Sequence, residues 1–172
     1  ALSSDGVAIG DPTRNEVRLY GSDGDLRTIV RREWTPVPVT EQEVEEARLR
    51  FINQDGEGGG PVPQRLLDQR AAITEEWVVA DHMPAFSAIS VDAADNIWLR
   101  NYVPNEETTG DWRASPVLPT TWTVFSSDGI LLGDVELPAR FLPLVFDEDV
   151  VAGIYRDESD VEYVHVYRVL KG

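Results

Sequence analysis

The stretch that decides the fold lies between residues 86 and 138. It reads FSAISVDAADNIWLRNYV (86–103), then a polar loop, then TWTVFSSDGILLGDVELP (121–138). Apolar and aromatic residues are interrupted there by Asp, Asn and Gly, which is typical of short strands joined by turns. Asp128 and Gly129 form one of these turns because both residue types tolerate a positive φ, and Pro138 ends the last strand. The pattern predicts strands over 86–92, 96–103, 121–125 and 130–137.

Parts of this stretch recur elsewhere in the chain. VRLY (17–20) aligns with WTVF (122–125) and with VHVY (164–167), and the FSAISVD run (86–92) is echoed by FLPLVFD (141–147). A repeat of roughly 40 residues is typical of a four-stranded propeller blade. The sequence therefore predicts an all-β fold of about three β-propeller blades, each a four-stranded antiparallel meander, which is half of a six-bladed ring. A β-sandwich of generic hairpins is the alternative.

The repeats predict one partial propeller domain over 1–172. We expect blade I over 1–34, with its inner strand missing or before Ala1, and a complete blade II over 85–138. Blade III over 139–172 lacks its outer strand. Between the first two blades, 35–84 breaks the pattern. Thr40 and Glu43 form a capping-box signature before a helix that carries Val44, Ala47 and Phe51 on one face; a second helix is predicted over 64–73 and an extended segment over 75–83.

The composition excludes several classes of function. The chain has 31 acidic and 15 basic residues and a formal net charge of −16, which argues against nucleic-acid binding because phosphate contacts need Lys and Arg. It has no cysteine, so disulfides and thiolate metal sites are excluded. No apolar run reaches the roughly 18 residues of a membrane span. We predict no cofactor and no metal.

The segments PAFSAISVDAADNIWLRNY, WTVFSSDGILLGDVELP and VVAGIYRDESDVEYVHVYRV resemble the C-terminal half of bacterial six-bladed β-propeller proteins of the NHL-like type. The helical PVTEQEVEEARLR insertion is also similar to members of that group. Many of these proteins are exported or lipid-anchored, so the resemblance implies an extracytoplasmic location. Some members are metal-dependent lactonases or esterases, and others only bind proteins, sugars or peptides. The resemblance transfers no metal-ligand set onto residues of this chain.

Meander topology predicts one binding face. The inter-blade insertion (35–84) and the long loop (104–119) both leave the sheets at the same end, and long loops in compact domains are usually functional or disordered. The binding candidates on this face are Asp81, His82, Arg100, Tyr102, Trp112, Arg113, Arg156 and Asp157. An exposed Trp–Arg pair at 112 and 113 would suit a partner or a sugar, whereas a tryptophan that folds down its own loop is the alternative.

Other polar residues have structural alternatives. His82 beside Asp81 is either a tuned imidazole or an ordinary loop histidine. Asp92, Asp95 and Asn96 offer oxygens suited to calcium, but a strand-joining turn is the simpler explanation and the one we expect. We expect His165 on a solvated face, and Trp98, Trp122 and Phe125 packed between blades.

Two functions from different classes remain. The first is a non-enzymatic module that binds a protein or small-molecule ligand; the second is a metal-dependent propeller hydrolase whose ligands lie in missing blades. The predicted inner strands, 86–91 and 141–146, offer only Ser87 and Ser90 as polar side chains, which favours the binding module. The partial ring also predicts a homodimer or an association with the missing half. A degenerate fragment is the third possibility.

Overall fold

A computed structural model of the protein describes residues 1–54, 61–103, 116 and 118–170. The chain divides into two compact units. The larger one comprises Ala1–Thr35 and Pro84–Gly172, and the smaller one is Pro36–Met83.

The larger unit is built of three open antiparallel sheets. All three are up-and-down meanders in which strands adjacent in the chain are adjacent in space. The first sheet contains β1 (Leu2–Ser3), β2 (Gly6–Asp11), β3 (Glu16–Gly21) and β4 (Leu26–Arg31); the second contains β5 (Phe86–Val91), β6 (Ile97–Asn101), β7 (Thr120–Phe125) and β8 (Leu131–Leu137); the third contains β9 (Phe141–Phe146), β10 (Val150–Arg156) and β11 (Glu162–Arg168).

The second sheet is covered on both faces. Phe86, Ile97 and Phe125 on one face pack against Ala8 and Val17 of the first sheet. On the opposite face, apolar side chains of the second and third sheets form another core; they are Trp98, Trp122, Val124, Leu137, Phe141, Phe146 and Val151. The sheets therefore stack in chain order, with a first interface between the first and second sheets and a second interface between the second and third.

The first two sheets are also joined at both ends. At the end formed by the β1–β2 and β5–β6 turns, the turn end, the Ser4 backbone N–H donates to the Asp95 carboxylate at 2.7 Å. At the opposite end, the loop end, the Ala85 N–H donates to the Pro12 carbonyl at 2.9 Å. Matching ends of the first and second sheets therefore lie together.

A buried aspartate organises the turn between β5 and β6. The Asp92 carboxylate accepts hydrogen bonds from the backbone N–H groups of Ala94 (2.9 Å) and Asn96 (2.8 Å) and from the Trp98 indole N–H at 3.0 Å. Asp95 completes the turn with φ +59°, a conformation that Asp adopts more readily than most residues. These N–H contacts favour the strand-joining turn over the calcium alternative.

The smaller unit is a helical hairpin with a tied base. Helix α1 (Glu41–Asn53) begins with the predicted capping box between Thr40 and Glu43, and α2 covers Gln64–Glu75. Arg70 of α2 donates to the carbonyls of Ile52 (3.0 Å) and Gln54 (2.6 Å), which satisfies the end of α1. At the base of the hairpin, Pro38 and His82 form an isolated bridge.

The structure confirms a mostly β fold of three antiparallel meanders with two helices. It differs from the sequence prediction at two places. A short strand, Leu2–Ser3, lies where the inner strand of the first sheet was expected to be missing. Helix α2 runs to Glu75, the first residue of the segment expected to be extended over 75–83, and within that segment His82 forms an isolated bridge.

Candidate functional site

A cleft of about 330 Å³ opens at the loop end between the first and second sheets. Phe86 and Leu99 contribute apolar lining, and Trp34 and Tyr102 add aromatic side chains. The remaining lining is mostly polar and includes Asn15, Arg32, Asn101 and Thr123. All of these residues belong to the larger unit.

The buried hydroxyl of Thr123 positions the side chain of Arg32, the cation of this cleft. Thr123 is 1% exposed, and its Oγ1 accepts a hydrogen bond from Arg32 Nη1 at 2.8 Å. The same oxygen lies 2.6 Å from a carboxylate oxygen of Asp134 and 3.0 Å from Asn101 Oδ1. A hydroxyl has one proton to donate, so the shorter distance assigns that proton to Asp134.

The backbone of Arg32 is positioned by Asn15. The Asn15 side-chain amide donates to the Arg32 carbonyl at 3.2 Å, and the Arg32 N–H donates to the Asn15 carbonyl at 3.3 Å. Asn15 has φ +50°, a left-handed conformation in which Asn is enriched. Arg32, which follows β4, therefore has its backbone fixed by two hydrogen bonds with Asn15.

The rim of the cleft brings three chain segments together. Arg32–Thr35 follows β4, Ala85 precedes β5 and Tyr102 follows β6. The Tyr102 N–H donates to the Ala85 carbonyl at 3.4 Å. The arrangement places one cation (Arg32), one acidic residue (Glu33) and several hydrogen-bonding groups beside aromatic rings, which is the usual composition of a small-molecule site.

The guanidinium of Arg32 is suited to an anionic group. Among the described residues, its side chain makes one hydrogen bond, to Thr123, whereas a guanidinium has five N–H donors in a planar fork that matches carboxylate and phosphate oxygens. The acidic Glu33 lines the same cleft.

Of the residues predicted from the sequence, Tyr102 lines this cleft. Arg100 lies directly across from Trp122 in the second sheet. Since paired residues share a face, Arg100 belongs to the face of that sheet that meets the third sheet. Tyr102 and Arg100 are therefore close in sequence, but Tyr102 lies at the cleft and Arg100 lies on the face that meets the third sheet.

Arg156 and Asp157 lie together at the loop end of the third sheet, in its β10–β11 hairpin. Arg156 pairs with Glu162 at 2.7 Å. The Asp157 carboxylate accepts from the N–H groups of Val161 (3.0 Å) and Ser159 (2.8 Å) and lies 3.2 Å from the Tyr163 hydroxyl. These hydrogen bonds, that from Val161 above all, lower the pKa of Asp157. In this structure both residues fold their own hairpin.

The remaining predicted residues fall elsewhere. Asp81 and His82 belong to the smaller unit, where the Asp81 carbonyl accepts from the Val39 N–H at 3.0 Å. Trp112 and Arg113 lie outside the described residues, as does most of the 104–119 loop.

Sequence reasoning missed Arg32, Asn15, Asn101 and Thr123. A signal was present for Thr123, because the β7 sequence TTWTVF places polar threonines among residues that are apolar on both faces. Such a strand is typical of a sheet buried on both sides, where a polar side chain needs a hydrogen-bond partner. No pattern in the sequence identified that partner as Arg32.

His165, expected on a solvated face, is half-buried instead. Its ring stacks on Tyr155 with centroids 4.6 Å apart and planes inclined by 9°, and its Nδ1 lies 2.9 Å from the Tyr167 hydroxyl. Gly153 lies directly opposite it in β10. The expectation was wrong because His165 lies on the face of the third sheet that meets the second sheet, and this face is packed rather than solvated.

No group of three or more His, Cys, Asp or Glu side chains arranged to hold a metal ion occurs within the described part of the chain. Neither described helix is long and apolar enough to cross a membrane. No protein-family model, curated protein or solved structure matches the chain.

Proposed function

We propose that this chain is a non-enzymatic binding module of the β-propeller type and that the cleft at Arg32 holds a small ligand. The stacked meanders, two of four strands and one of three, support the propeller assignment, because blades are built and packed in this way. The observation that carries the binding function is the cleft, in which Arg32, Asn101 and Tyr102 surround a partly apolar floor.

The chemistry of the cleft favours a ligand with an oxyanion next to an apolar or aromatic ring. Arg32 supplies charge-assisted donors, and hydrogen bonds to charged groups are the stronger ones. Trp34 and Phe86 line the same space and offer ring surface for stacking. A carboxylate and a phosphate ester share this chemistry.

Of the binding candidates predicted from the sequence, Tyr102 lines this cleft. Thr35 and Tyr102 both line it, and the insertion and the long loop follow these two residues closely in the chain. The metal-dependent hydrolase stays an untested alternative.

A pair of matched probes tests the proposal. Benzoate and its neutral isostere benzamide would be titrated against the protein by saturation-transfer NMR, and then against Arg32→Gln and Arg14→Gln. Arg14 is an exposed arginine whose nearest carboxylate, on Asp11, lies 3.7 Å away, so it controls for the loss of one surface charge.

We expect benzoate to bind more tightly than benzamide, and the Arg32→Gln variant to lose at least about tenfold in benzoate affinity. A hydrogen bond to a charged group contributes about 1.5–3 kcal/mol, and about 1.4 kcal/mol is a factor of ten. Arg14→Gln should bind like the parent protein. Equal affinity for the two probes, or equal benzoate binding by Arg32→Gln, would overturn the proposal.

A further inference from the structure

The hydroxyl of Thr123 is the meeting point of three side chains beside the cleft. Its Oγ1 lies 2.8 Å from Arg32 Nη1, 2.6 Å from a carboxylate oxygen of Asp134 and 3.0 Å from the side-chain amide of Asn101. Thr123 is buried, so these contacts account for its hydrogen bonding within the described part of the chain. A hydroxyl has one proton to donate and two lone pairs with which to accept.

The proton of Thr123 belongs to the bond with Asp134. A hydroxyl bonds an ionised oxygen at about 2.5–2.7 Å, and the distance of 2.6 Å to Asp134 falls within that range, whereas the distance of 3.0 Å to Asn101 does not. Asp134 lies directly opposite Thr123 in the pairing of β7 with β8. With its proton committed, Thr123 can only accept from its other two neighbours. Arg32 fills one lone pair, and the second lone pair needs a donor.

We infer that Asn101 is this donor: its amide presents the NH2 group to Thr123 and the carbonyl oxygen to the cleft. The two ends of an asparagine amide have nearly the same shape and are told apart by their hydrogen bonds. Oδ1 at the position next to Thr123 sets two acceptors against one another at 3.0 Å. A half-turn of the amide puts Nδ2 there and makes the same distance an ordinary hydrogen bond. Within the described residues, the Asn101 side chain makes no other hydrogen bond that opposes this half-turn.

This orientation adds a neutral acceptor to the cleft. Asn101 and Arg32 both line it, and both bond the same oxygen of Thr123, so the acceptor lies close to the cation. The ligand class follows, and it rests on the function proposed above: an aromatic oxyanion that also carries a hydrogen-bond donor. The oxyanion binds Arg32, and the donor, such as a ring hydroxyl, binds Asn101 Oδ1.

Glu33 also lines the cleft and can accept the same donor. It is exposed, whereas Asn101 is half-buried, and a hydrogen bond is stronger where the local dielectric is low. The carboxylate of Glu33 also repels the negative charge of the ligand, which a neutral amide oxygen does not. Asn101 is therefore the specificity-determining acceptor.

Probes of similar shape test the inference. 3-Hydroxybenzoate and 3-fluorobenzoate have the same charge and similar bulk, but only the first has a donor on the ring; the pair substituted at the 4-position covers the next ring atom. Affinities would be measured by saturation-transfer NMR for the parent protein, Asn101→Leu and Glu33→Leu. Leucine neither donates nor accepts, and Glu33→Leu makes the same change elsewhere in the lining. Thermal melts would check that each variant is folded.

We expect the parent protein to prefer the hydroxyl compound in at least one pair by about three- to tenfold, the range for one neutral hydrogen bond. Asn101→Leu should bind both members of that pair equally, and Glu33→Leu should keep the preference. No preference in either pair, or one that survives Asn101→Leu, would overturn the inference. A parent protein that binds benzoate through Arg32 without such a preference would leave the proposed function intact, whereas a parent that binds no benzoate would overturn that function itself.

Asp134 gives a test from behind Thr123. In Asp134→Leu the proton of Thr123 loses its acceptor, and Asn101 Oδ1 is the side-chain oxygen that remains within reach among the described residues. The amide should then turn its oxygen to Thr123 and its NH2 group to the cleft, so the preference for the hydroxyl compound should disappear. A merely electrostatic role of Asp134 would change the affinity of both anions equally. A preference that is kept in Asp134→Leu would therefore contradict the inference.

The side-chain amide of Asn101 gives a readout that needs no ligand. Its NH2 signals in 15N-labelled protein are identified by their absence from Asn101→Leu. One of its hydrogens should exchange with water at least about threefold more slowly in the parent protein than in Thr123→Val, which lacks the accepting oxygen. Equal exchange in the two proteins would overturn the orientation of the amide, whether or not benzoate binds.

Discussion

The first and second interfaces bury opposite faces of one sheet, yet only the first contains a described cleft. In the second interface, Phe146 packs between Trp98 and Trp122, with ring centroids 5.1 and 4.9 Å from it. In the first, Thr123 occupies the centre of β7 and hydrogen-bonds Arg32. A short polar side chain leaves space that an aromatic ring would fill. The face of β7 with Thr123 therefore borders a cleft, whereas the face with Trp122 is filled by aromatic packing.

Of the substitutions considered, Trp122→Ala in the second interface is expected to lower the free energy of unfolding most. Truncating a buried large aromatic residue costs about 3–5 kcal/mol, since the cavity is only partly refilled. Trp122 is buried and contacts Phe146. Urea unfolding should show this loss, while benzoate binding at 4 °C, where the variant remains folded, should persist because the cleft lies on the opposite face. Loss of less than about 1 kcal/mol would contradict the packing described for the second interface.

Alanine substitutions at two glycines are expected to have the next largest effects. A Cβ at Gly10 would lie 2.8 Å from the Phe86 ring in the first interface, whereas a Cβ at Gly153 would lie 2.1 Å from the Leu142 carbonyl oxygen in the third sheet. Gly10→Ala should cost about 1–3 kcal/mol, and Gly153→Ala should cost more because backbone cannot rotate away.

A second substitution, of the neighbouring phenylalanine, should restore stability at one of these two glycines but not at the other. Adding Phe86→Leu to Gly10→Ala should recover part of the lost free energy of unfolding, because the contact is with a side chain. Adding Phe141→Leu to Gly153→Ala should recover little, because the carbonyl of Leu142 remains. Equal recovery in both pairs, measured by urea unfolding, would show that the two sites are limited by the same kind of contact.

The smallest effect on stability is expected for Glu16, a charged residue that belongs to neither interface. Glu16 is a nearly buried carboxylate that accepts hydrogen bonds from Arg31 and Arg18, each at 2.6 Å. These contacts, that with Arg31 first, lower the pKa of Glu16 below its ordinary 4.5. A carboxylate with a lowered pKa stabilises the folded state above its ordinary pKa, and this stabilisation is lost as the pH falls through the folded-state pKa.

Glu16→Gln should therefore lower the midpoint of thermal unfolding at pH 7, and the difference from the parent should shrink as the pH falls below 4.5. The exposed Glu136 makes a matched control as Glu136→Gln. A difference that is constant with pH would mean that Glu16 contributes by packing rather than by charge.

The strands of the second sheet could be predicted to within two residues at each end, because Asp-Gly, Asp-Asn and Pro mark their ends. Helix α1 was equally predictable from Thr40 and Glu43. The cleft was not, because Arg32 and Thr123 are 91 positions apart and meet only when two sheets stack. Periodicity identifies which residues share a face, but the neighbour that covers that face depends on tertiary structure.

The tied base of the helical hairpin has a practical consequence. The Val39 N–H donates to the Asp81 carbonyl at 3.0 Å, and the Met83 N–H donates to the Val37 carbonyl at 2.8 Å. These bonds bring the two ends of the insertion together before the chain reaches either helix. Since the entropy of closing a loop grows only with the logarithm of its length, with about 0.6 kcal/mol for each doubling, the base defines a graft point. A different small domain whose termini lie equally close could replace the helices at little thermodynamic cost to the sheets.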